Sequence, residues 1–579
     1  MKPCCIAPPL LAFLLVQTAG AATFTVTNTL DSGVGSLNNA IVQANAAAGT
    51  NTIAFNILPL DGTVKTIFVT NQLPAITQSV IIDGYTQDPA HSHTNTLASA
   101  DDAVLLIELN GTNGPGINGL NFGSGSSASG SVVRGLVINN FGSAAIGSQN
   151  QNSGIVIEGN FIGTDPSGKL ARSNVKSTAS AAAINLDCPS IRIGGTSTGA
   201  RNIISGNRTG GILTGGSGNN LIQGNFIGVD ATGTNAVGNG LHGVWIQGSS
   251  DVIGGTNAGA RNVISGNGGN GVVVNQAQSA RIRDISIQGN YIGTDANGTR
   301  LLPNGGIGVE MNESTNVLIG GAAAVAGTPP GNVIAGNSSH GIAVGSFNSG
   351  GAFDFRVQGN IITADQGDGV LIKAPSARNT VSSNSIFANG GLGIELSGNA
   401  NNSQTNPIIT RVIHGGGNVT LDGSLKSGTS SVYRLEFFSN ASCDGSGIGE
   451  GQVFLGATNL TTDASGNVSF IMILANPAGH TNFTATATDT NGNTSAFSPC
   501  ISLSPSRLTG VVALPNGTRQ IQGLGLPHLT YAIQAASNLN PVVQWSDLGA
   551  SAANGSGVFS FTDTNAPLFP MRFYRAQSL

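Results

Sequence analysis

Ionisable side chains crowd one late stretch of the chain: Asp354, Arg356, Asp365, Asp368, Lys373 and Arg378. Carboxylates holding calcium beside an arginine base would cleave a polysaccharide by elimination. Two carboxylates about 5–9.5 Å apart would hydrolyse a glycosidic bond instead. The plainer reading of the same residues is a solvated face of mixed charge. A second acidic series, Asp165, Asp230, Asp295 and Asp365, recurs along the chain. Its members are expected three coils apart, roughly 14 Å, too far for a catalytic pair. Asp230-Ala231-Thr232-Gly233 and Asp295-Ala296-Asn297-Gly298 read as turns, with calcium binding as the alternative. His91-Ser92-His93 offers two metal-ligating side chains without a third ligand in view, and Asp101-Asp102 stands by itself in a polar loop. His242 and His340 each precede a glycine, as do Asn270 and Asp368. All four residue types tolerate a left-handed corner, so a structural role is expected for the two histidines. Glycine patterns occur without the strand-then-long-helix context that nucleotide binding requires, and no Ser or Cys nucleophile with ordered partners is found.

The elements that must position these residues are written in a repeat. Gly159-Asn160-Phe161-Ile162-Gly163-Thr164-Asp165 returns at 224–230 and 289–295, in steps of 65 residues. Arg201-Asn202-Ile203-Ile204-Ser205-Gly206-Asn207 returns at 261–267 and, degenerate, at 331–337. Steps between Asn207, Asn225, Asn267, Asn290, Asn337, Asn360 and Asn384 suggest a unit of about 18–24 residues. Short β-branched runs such as Gly271-Val272-Val273-Val274 lie between them. Glycine every few residues rules out a helical solenoid, because each interior Gly costs a helix roughly 1 kcal/mol. The expected fold is all-β, a right-handed parallel β-helix with Asn and Gly at the corners and stacked Ile, Val and Leu inside. Residues 101–404 would make ~13–14 coils. Ser36 followed by 37–45 reads as an N-capped helix covering the first coil, between strands at 24–27 and 52–55.

Composition narrows the partners. Charged residues are only 9% of the 579, and the formal net charge is -5. A nucleic acid partner is therefore not expected, since phosphate neutralisation needs a basic face. Lys2, the apolar run 6–16 and Ala19-Gly20-Ala21 read as a secretory signal peptide cleaved after Ala21. No later segment reaches 18 uncharged apolar residues, so no membrane span is expected. In an oxidising compartment Cys443 and Cys500, inside one candidate domain, are expected to pair, and Cys188 to be a buried, inert thiol.

Thr25-Val26-Thr27-Asn28-Thr29-Leu30-Asp31-Ser32-Gly33 with Gly35-Ser36-Leu37 resembles the opening of secreted bacterial β-helix repeat proteins. Ile82-Asp83-Gly84-Tyr85-Thr86-Gln87, Arg134-Gly135-Leu136-Val137-Ile138-Asn139 and the Gly-Asn-Phe-Ile-Gly-Thr-Asp copies resemble the same family, over roughly 22–404. The resemblance implies a pectin-lyase-like fold, with no activity established for many members. Asn38 stands where the family usually has Arg. The two His-Gly steps are similar to one element of polygalacturonases, but the accompanying Asn-Thr-Asp, Asp-Asp and Arg-Ile-Lys elements are not found in their arrangement.

Beyond Asn406-Pro407 the pattern changes to alternating strands, among them 432–438 and 482–488, which fit an immunoglobulin-like sandwich. Pro505 opens a second small β-domain with strands near 530–534, 545–548 and 559–563. Its ending, Arg572-Phe573-Tyr574-Arg575, resembles a C-terminal module of Verrucomicrobia-like exported proteins. The divisions expected are 1–21 leader, 22–100 cap and first coils, 101–404 β-helix, 405–503 sandwich and 504–579 C-terminal β-domain. The function expected is that of a secreted or cell-surface, non-catalytic protein with weak glycan or matrix binding. The alternative is a polysaccharide lyase or glycoside hydrolase on the late coils, and a third reading is an ice- or mineral-binding face. No metal or cofactor is assigned; calcium enters with the lyase reading and as the alternative at the two aspartate turns. Ligand identity, surface attachment and oligomeric state are not legible in the residues.

Overall fold

The structure, a computed structural model, describes residues 20–578 except 96–99, 113, 115, 126, 149–150, 177–181, 216–217, 276–280, 346–349, 416–417, 504–506, 526–528 and 541–542. The expected leader, apart from its last two residues, and Pro505 lie outside the described residues. Among the described residues three parallel sheets of twelve, eleven and ten strands run side by side, each coil adding one short strand to each sheet. This is the β-helix expected. Pairing is in register from coil to coil, so identical faces superpose. In the first sheet Ile157 lies beside Ile193, then Ile222, Ile253 and Ile287. In the second, Ile162, Ile204, Ile227, Ile264 and Ile292 line up in the same way. All ten are fully buried. β-Branched side chains suit this stacking because their restricted χ1 already matches the pleated surface.

The coils are longer than the sequence period suggests. One takes 24 residues from Val132 to Val156, another 38 from Leu318 to Arg356. Ten third-sheet strands, not ~13–14 coils, lie between Leu120 and Ser397, a rod on the order of 45 Å. The miscount has a physical cause. Each coil uses buried asparagine at two corners, and the sequence series alternates between them. Asn160, Asn202, Asn225, Asn262, Asn290, Asn332, Asn360 and Asn384 form one column, between the first and second sheets. Asn174, Asn207, Asn239, Asn267, Asn304 and Asn337 form the other, between the second and third.

Within a column each amide spans three coils. Asn262 donates its backbone N–H and its Nδ2 to Asn290 Oδ1 at 3.3 and 2.9 Å. The same Nδ2 reaches back to Ile222 O at 2.7 Å. None of these asparagines has the left-handed angle expected; at several corners the glycine before carries it, as Gly224, with φ +71°, does before Asn225. A Cβ there would sit 2.2 Å from Gly195 O. Asparagine is therefore chosen for its paired donor and acceptor, and glycine for the backbone turn.

Both ends are covered. At the front, Ser36 Oγ accepts from Asn39 N and starts the helix Leu37–Ala46, whose Leu37, Ala40, Ile41 and Ala44 close the core. At the rear, the parallel sheets stop by Ser397 and antiparallel strands begin at Ile408. Seven of these strands form two facing sheets, and the Cys443–Cys500 disulfide is present within this unit. The unit seals the last coil. Glu450 Oε1 accepts from Asn389 N and Nδ2 at 3.1 and 3.0 Å, and its Oε2 from Ala388 N at 2.6 Å. Glu436 Oε2 accepts from Ser383 N, and Thr494 Oγ1 from Val381 N. Phe438 and Phe497 join the β-helix core itself. Two further three-stranded antiparallel sheets, packed around Ile521, Tyr531, Ile533 and Phe559, complete the chain.

Asn262→Ala leaves the Asn225 backbone N–H without its acceptor and takes one donor from Ile222 O, while Asn290 Oδ1 keeps only the residue-262 backbone N–H. It is expected to lower unfolding free energy by about 3 kcal/mol, read by denaturant melts, with the fold retained in circular dichroism.

Candidate functional site

The six late-coil residues do not converge. Asp354 and Arg378 occupy one corner of successive coils and form a two-point ion pair, Nε to Oδ1 at 2.6 Å and Nη2 to Oδ2 at 2.9 Å. Both are nearly half exposed, so the pair is worth at most about 1 kcal/mol. Arg356 lies exposed on the first sheet, and Lys373 ends the third-sheet strand Val370–Lys373. Asp365 follows the second sheet and Asp368 precedes the third. The six are thus spread around the circumference, and a single groove shared by all of them is ruled out.

Asp365 corrects the reading that placed it in a column with Asp165, Asp230 and Asp295. Those three each head a small hairpin inserted after the second sheet, with isolated antiparallel pairs Thr164–Ala171, Val229–Ala236 and Thr294–Leu301. Their carboxylates accept N–H groups of their own turn, Asp230 Oδ1 from Thr232 N at 3.1 Å and Asp295 Oδ1 from Thr299 N at 3.0 Å. This is turn chemistry, as expected. The hairpins stand two coils apart rather than three, because Phe161 pairs with Ile203 and Ile203 with Phe226. They also touch: Ala231 N donates to Gly168 O and Ala296 N to Gly233 O, both at 2.9 Å. Under them Phe161, Phe226 and Tyr291 form a hydrophobic cluster outside the main core.

The coil of Asp365 has no such hairpin, so the aspartate falls on the asparagine column. Asn337 N and Nδ2 both donate to its Oδ1 at 2.8 Å, and Asp365 N donates to Asn389 Oδ1 at 3.2 Å. Oδ2 is buried where an asparagine would carry its Nδ2, and has no hydrogen-bond partner among the described residues. Burial pushes this carboxyl up to about 7, against the Asn337 bonds that lower it. Burial therefore favours the protonated form, which leaves no buried charge on the column.

The histidine corners have a related explanation. His242 Nδ1 accepts from Asn270 N at 3.1 Å, and Asn270 Oδ1 accepts from Ile307 N at 2.9 Å. His340 Nδ1 lies 3.0 Å from Asp368 N, and Asp368 Oδ1 accepts from Leu392 N at 2.8 Å. None of His242, Asn270, His340 and Asp368 has a left-handed φ, so that part of the expectation fails. The position requires an acceptor for the next coil, which Asn, Asp and neutral His all provide. Burial lowers the pKa of His242, consistent with an unprotonated acceptor. Asp368 also contacts His340 through Oδ2 at 3.0 Å and shares a side-chain hydrogen bond with Glu395, whose carboxyl is raised by that bond and by burial. Glu395 was not singled out from sequence. It is the third-sheet register partner of Leu371, a relation that needs the coil register to see.

Sequence reasoning also missed what the outside of the third sheet presents. Asn185, Leu213, Trp245, Val273 and Glu310 are consecutive register partners along it. Trp245 is half-buried with His242 edge-on at 5.9 Å, and its Nε1 has no partner among the described residues. Cys188 is buried and unpaired, its thiol pushed up by burial.

Coil-to-coil parallel sheets, buried amide columns and a cap at each end define a parallel β-helix protein with antiparallel rear units. No family model matches the chain, and no curated protein matches it. Among solved structures it is similar to the A-module of the Azotobacter vinelandii mannuronan C-5 epimerase AlgE6, 16% identical over 65% of this chain and 88% of that one, with TM-score 0.40. Tailspike protein 2 of Escherichia coli O157:H7 bacteriophage CAB120 is 11% identical over 93% of this chain and 72% of its own, TM-score 0.30. The tailspike of E. coli bacteriophage HK620, solved with a pentasaccharide, is 14% identical over 78% and 88%, TM-score 0.23. The fold stands on the chain's own strand pairing.

The raised Asp365 carboxyl gives a signed pH dependence. Its folded value, about 7, lies above the ordinary 3.8. The stability it contributes is therefore full below pH 4 and is lost as pH rises through 7. Going from pH 4 to pH 9 is expected to remove on the order of 3 kcal/mol through this group. Asp365→Asn should raise stability at pH 9, change little at pH 3, and flatten the profile in denaturant melts.

Proposed function

We propose that this is an exported, non-catalytic rod of the secreted β-helix repeat type, which binds neutral glycan or matrix through the outer face of its third sheet. The observation that carries the reading is that four of the six late-coil acids and bases are already committed to structural bonds. Asp365 completes an amide column, Asp368 accepts Leu392 N, and Arg378 holds Asp354. What supports the binding face is Trp245, set between Leu213 and Val273 with Asn185 one coil beyond. An aromatic ring with an amide further along the same face matches a sugar, which offers C–H groups to the ring and hydroxyls to the amide. In this reading the rear units serve attachment, the first being an immunoglobulin-like sandwich that also closes the rod.

A catalytic reading has one specific observation in its favour, the hydrogen-bonded Asp368–Glu395 pair beside His340. Such a pair holds one carboxyl protonated, as a general acid requires. Direct contact is nevertheless closer than the 5–9.5 Å across which paired glycosidase carboxylates work.

Purified mature protein is to be tested on a glycan array and against diverse polysaccharides, with and without calcium. The proposal expects retention on a neutral glycan, weakened about tenfold by Trp245→Ala, and no release of reducing or unsaturated ends. Cleavage abolished by Asp368→Asn or Glu395→Gln would replace it with the catalytic reading.

A further inference from the structure

The polar loop that carries His91, His93, Asp101 and Asp102 does not stand alone in the fold. Its ends pair through His91 and Val104, and Asp101 N donates to Ala231 O at 2.6 Å, which pins the loop onto the stacked hairpins. This brings together residues the sequence leaves apart. His93 Nδ1 lies 2.6 Å from Asp102 Oδ1 and 3.6 Å from Asp101 Oδ1. One donor atom from each of the three residues falls within 4.8 Å of the others.

The burial is uneven in a telling way. The Asp101 side chain is 0% exposed and that of His93 1%, whereas Asp102 is 33% exposed and faces solvent. Asp101 Oδ1 accepts from Ala103 N at 2.9 Å, but its Oδ2 has no hydrogen-bond partner among the described residues, nor has His93 Nε2. A buried carboxylate with a bare oxygen is costly unless a charge answers it. Arg201, buried over the Phe226 ring at 4.2 Å, attracts both aspartates, and burial draws its own pKa down to about 10. Tyr85, also near Asp101, adds no positive charge. Thr94 N and Oγ1 and Asn95 N bond to Asp102, which fixes its carboxylate beside the His93 ring.

We propose that His93, Asp101 and Asp102 form a site for a divalent transition cation. One imidazole and two carboxylates match zinc or manganese, whereas calcium selects six to eight oxygens. In the metal-free protein the Nδ1 proton of His93 bridges to Asp102. Binding puts the cation on Nδ1 and moves that proton to Nε2, so the imidazole stays neutral and no proton is released by the ring. Ligand atoms near 2.1 Å from a tetrahedral ion stand about 3.4 Å apart, so Asp102 must withdraw slightly from His93. Asp101 Oδ2 gains the partner it lacks, and the exposed side at Asp102 keeps a position for water. The bound ion would fasten the loop over the hairpins.

The test uses the mature full-length chain, freed of metal with chelator. Equilibrium dialysis against zinc and manganese should give one equivalent bound, with a higher melting temperature. Cobalt substituted at the site should show a visible spectrum carrying nitrogen ligation. His93→Gln should reduce affinity at least about tenfold and abolish the cobalt spectrum, while circular dichroism is unchanged. Asp101→Asn should do the same; if it fails to fold, the wild-type cobalt spectrum and His93→Gln still decide. No binding up to about 1 mM cation, or binding that survives His93→Gln, would overturn the proposal and leave a plain His–Asp hydrogen-bonded lock.

Discussion

Everything in this molecule depends on what its buried asparagines do with the backbone at the corners. A coil that turns twice within a few residues leaves N–H and C=O groups pointing along the rod axis, away from the sheets that would otherwise pair them. No water reaches them, and an orphan would cost about 1–3 kcal/mol. The side-chain amide meets both needs in one residue, accepting from the coil before and donating to the coils on either side. At Asn262 the distances run from 2.7 to 3.3 Å. Repeated coil after coil, the same arrangement sets the register that keeps Ile157, Ile193 and Ile222 in file.

That constraint decides the fate of residues that would otherwise suggest chemistry. Asp365 sits on the column and behaves as an asparagine with an adjustable proton. His242 and Asp368 accept backbone hydrogens at the entry to the third sheet. Glu450, from the following antiparallel unit, accepts from Asn389 and so supplies the last acceptor of the column. The rear unit is therefore part of the solenoid's own hydrogen bonding as well as a separate sandwich. Open strand edges at the end of a rod invite association with other chains, and here Gly451 pairs with Ile386 where the next coil would have been.

The β-helix was legible because stacking demands the same residue type at the same place, which writes Gly-Asn-Phe-Ile-Gly directly into the chain. The helix after Ser36 and the Cys443–Cys500 pair were legible for local reasons, a cap residue and two cysteines in one unit. Coil length was not, since Asn202 and Asn207 look alike in sequence yet serve different corners. Asp165 and Asp365 share their distance from the preceding isoleucine, and only the inserted hairpin separates a turn aspartate from a column aspartate. Contacts that join distant segments, such as His93 with Asp102 or Glu395 with Asp368, depend on loop path and register and leave no trace in spacing.

The central claim, that amide columns terminated by Glu450 hold the rod, is tested most directly by hydrogen exchange. The backbone N–H groups of Asn207, Asn267, Asn337, Asp365 and Asn389 are to be followed in the full chain and in a chain ending at Gln404. The account predicts slow exchange at all five in the full chain. In the shortened chain, protection is lost first at Asn389, then at Asp365, and kept at Asn207. Uniform fast exchange at these amides in the full chain, or unchanged protection at Asn389 after truncation, would contradict it.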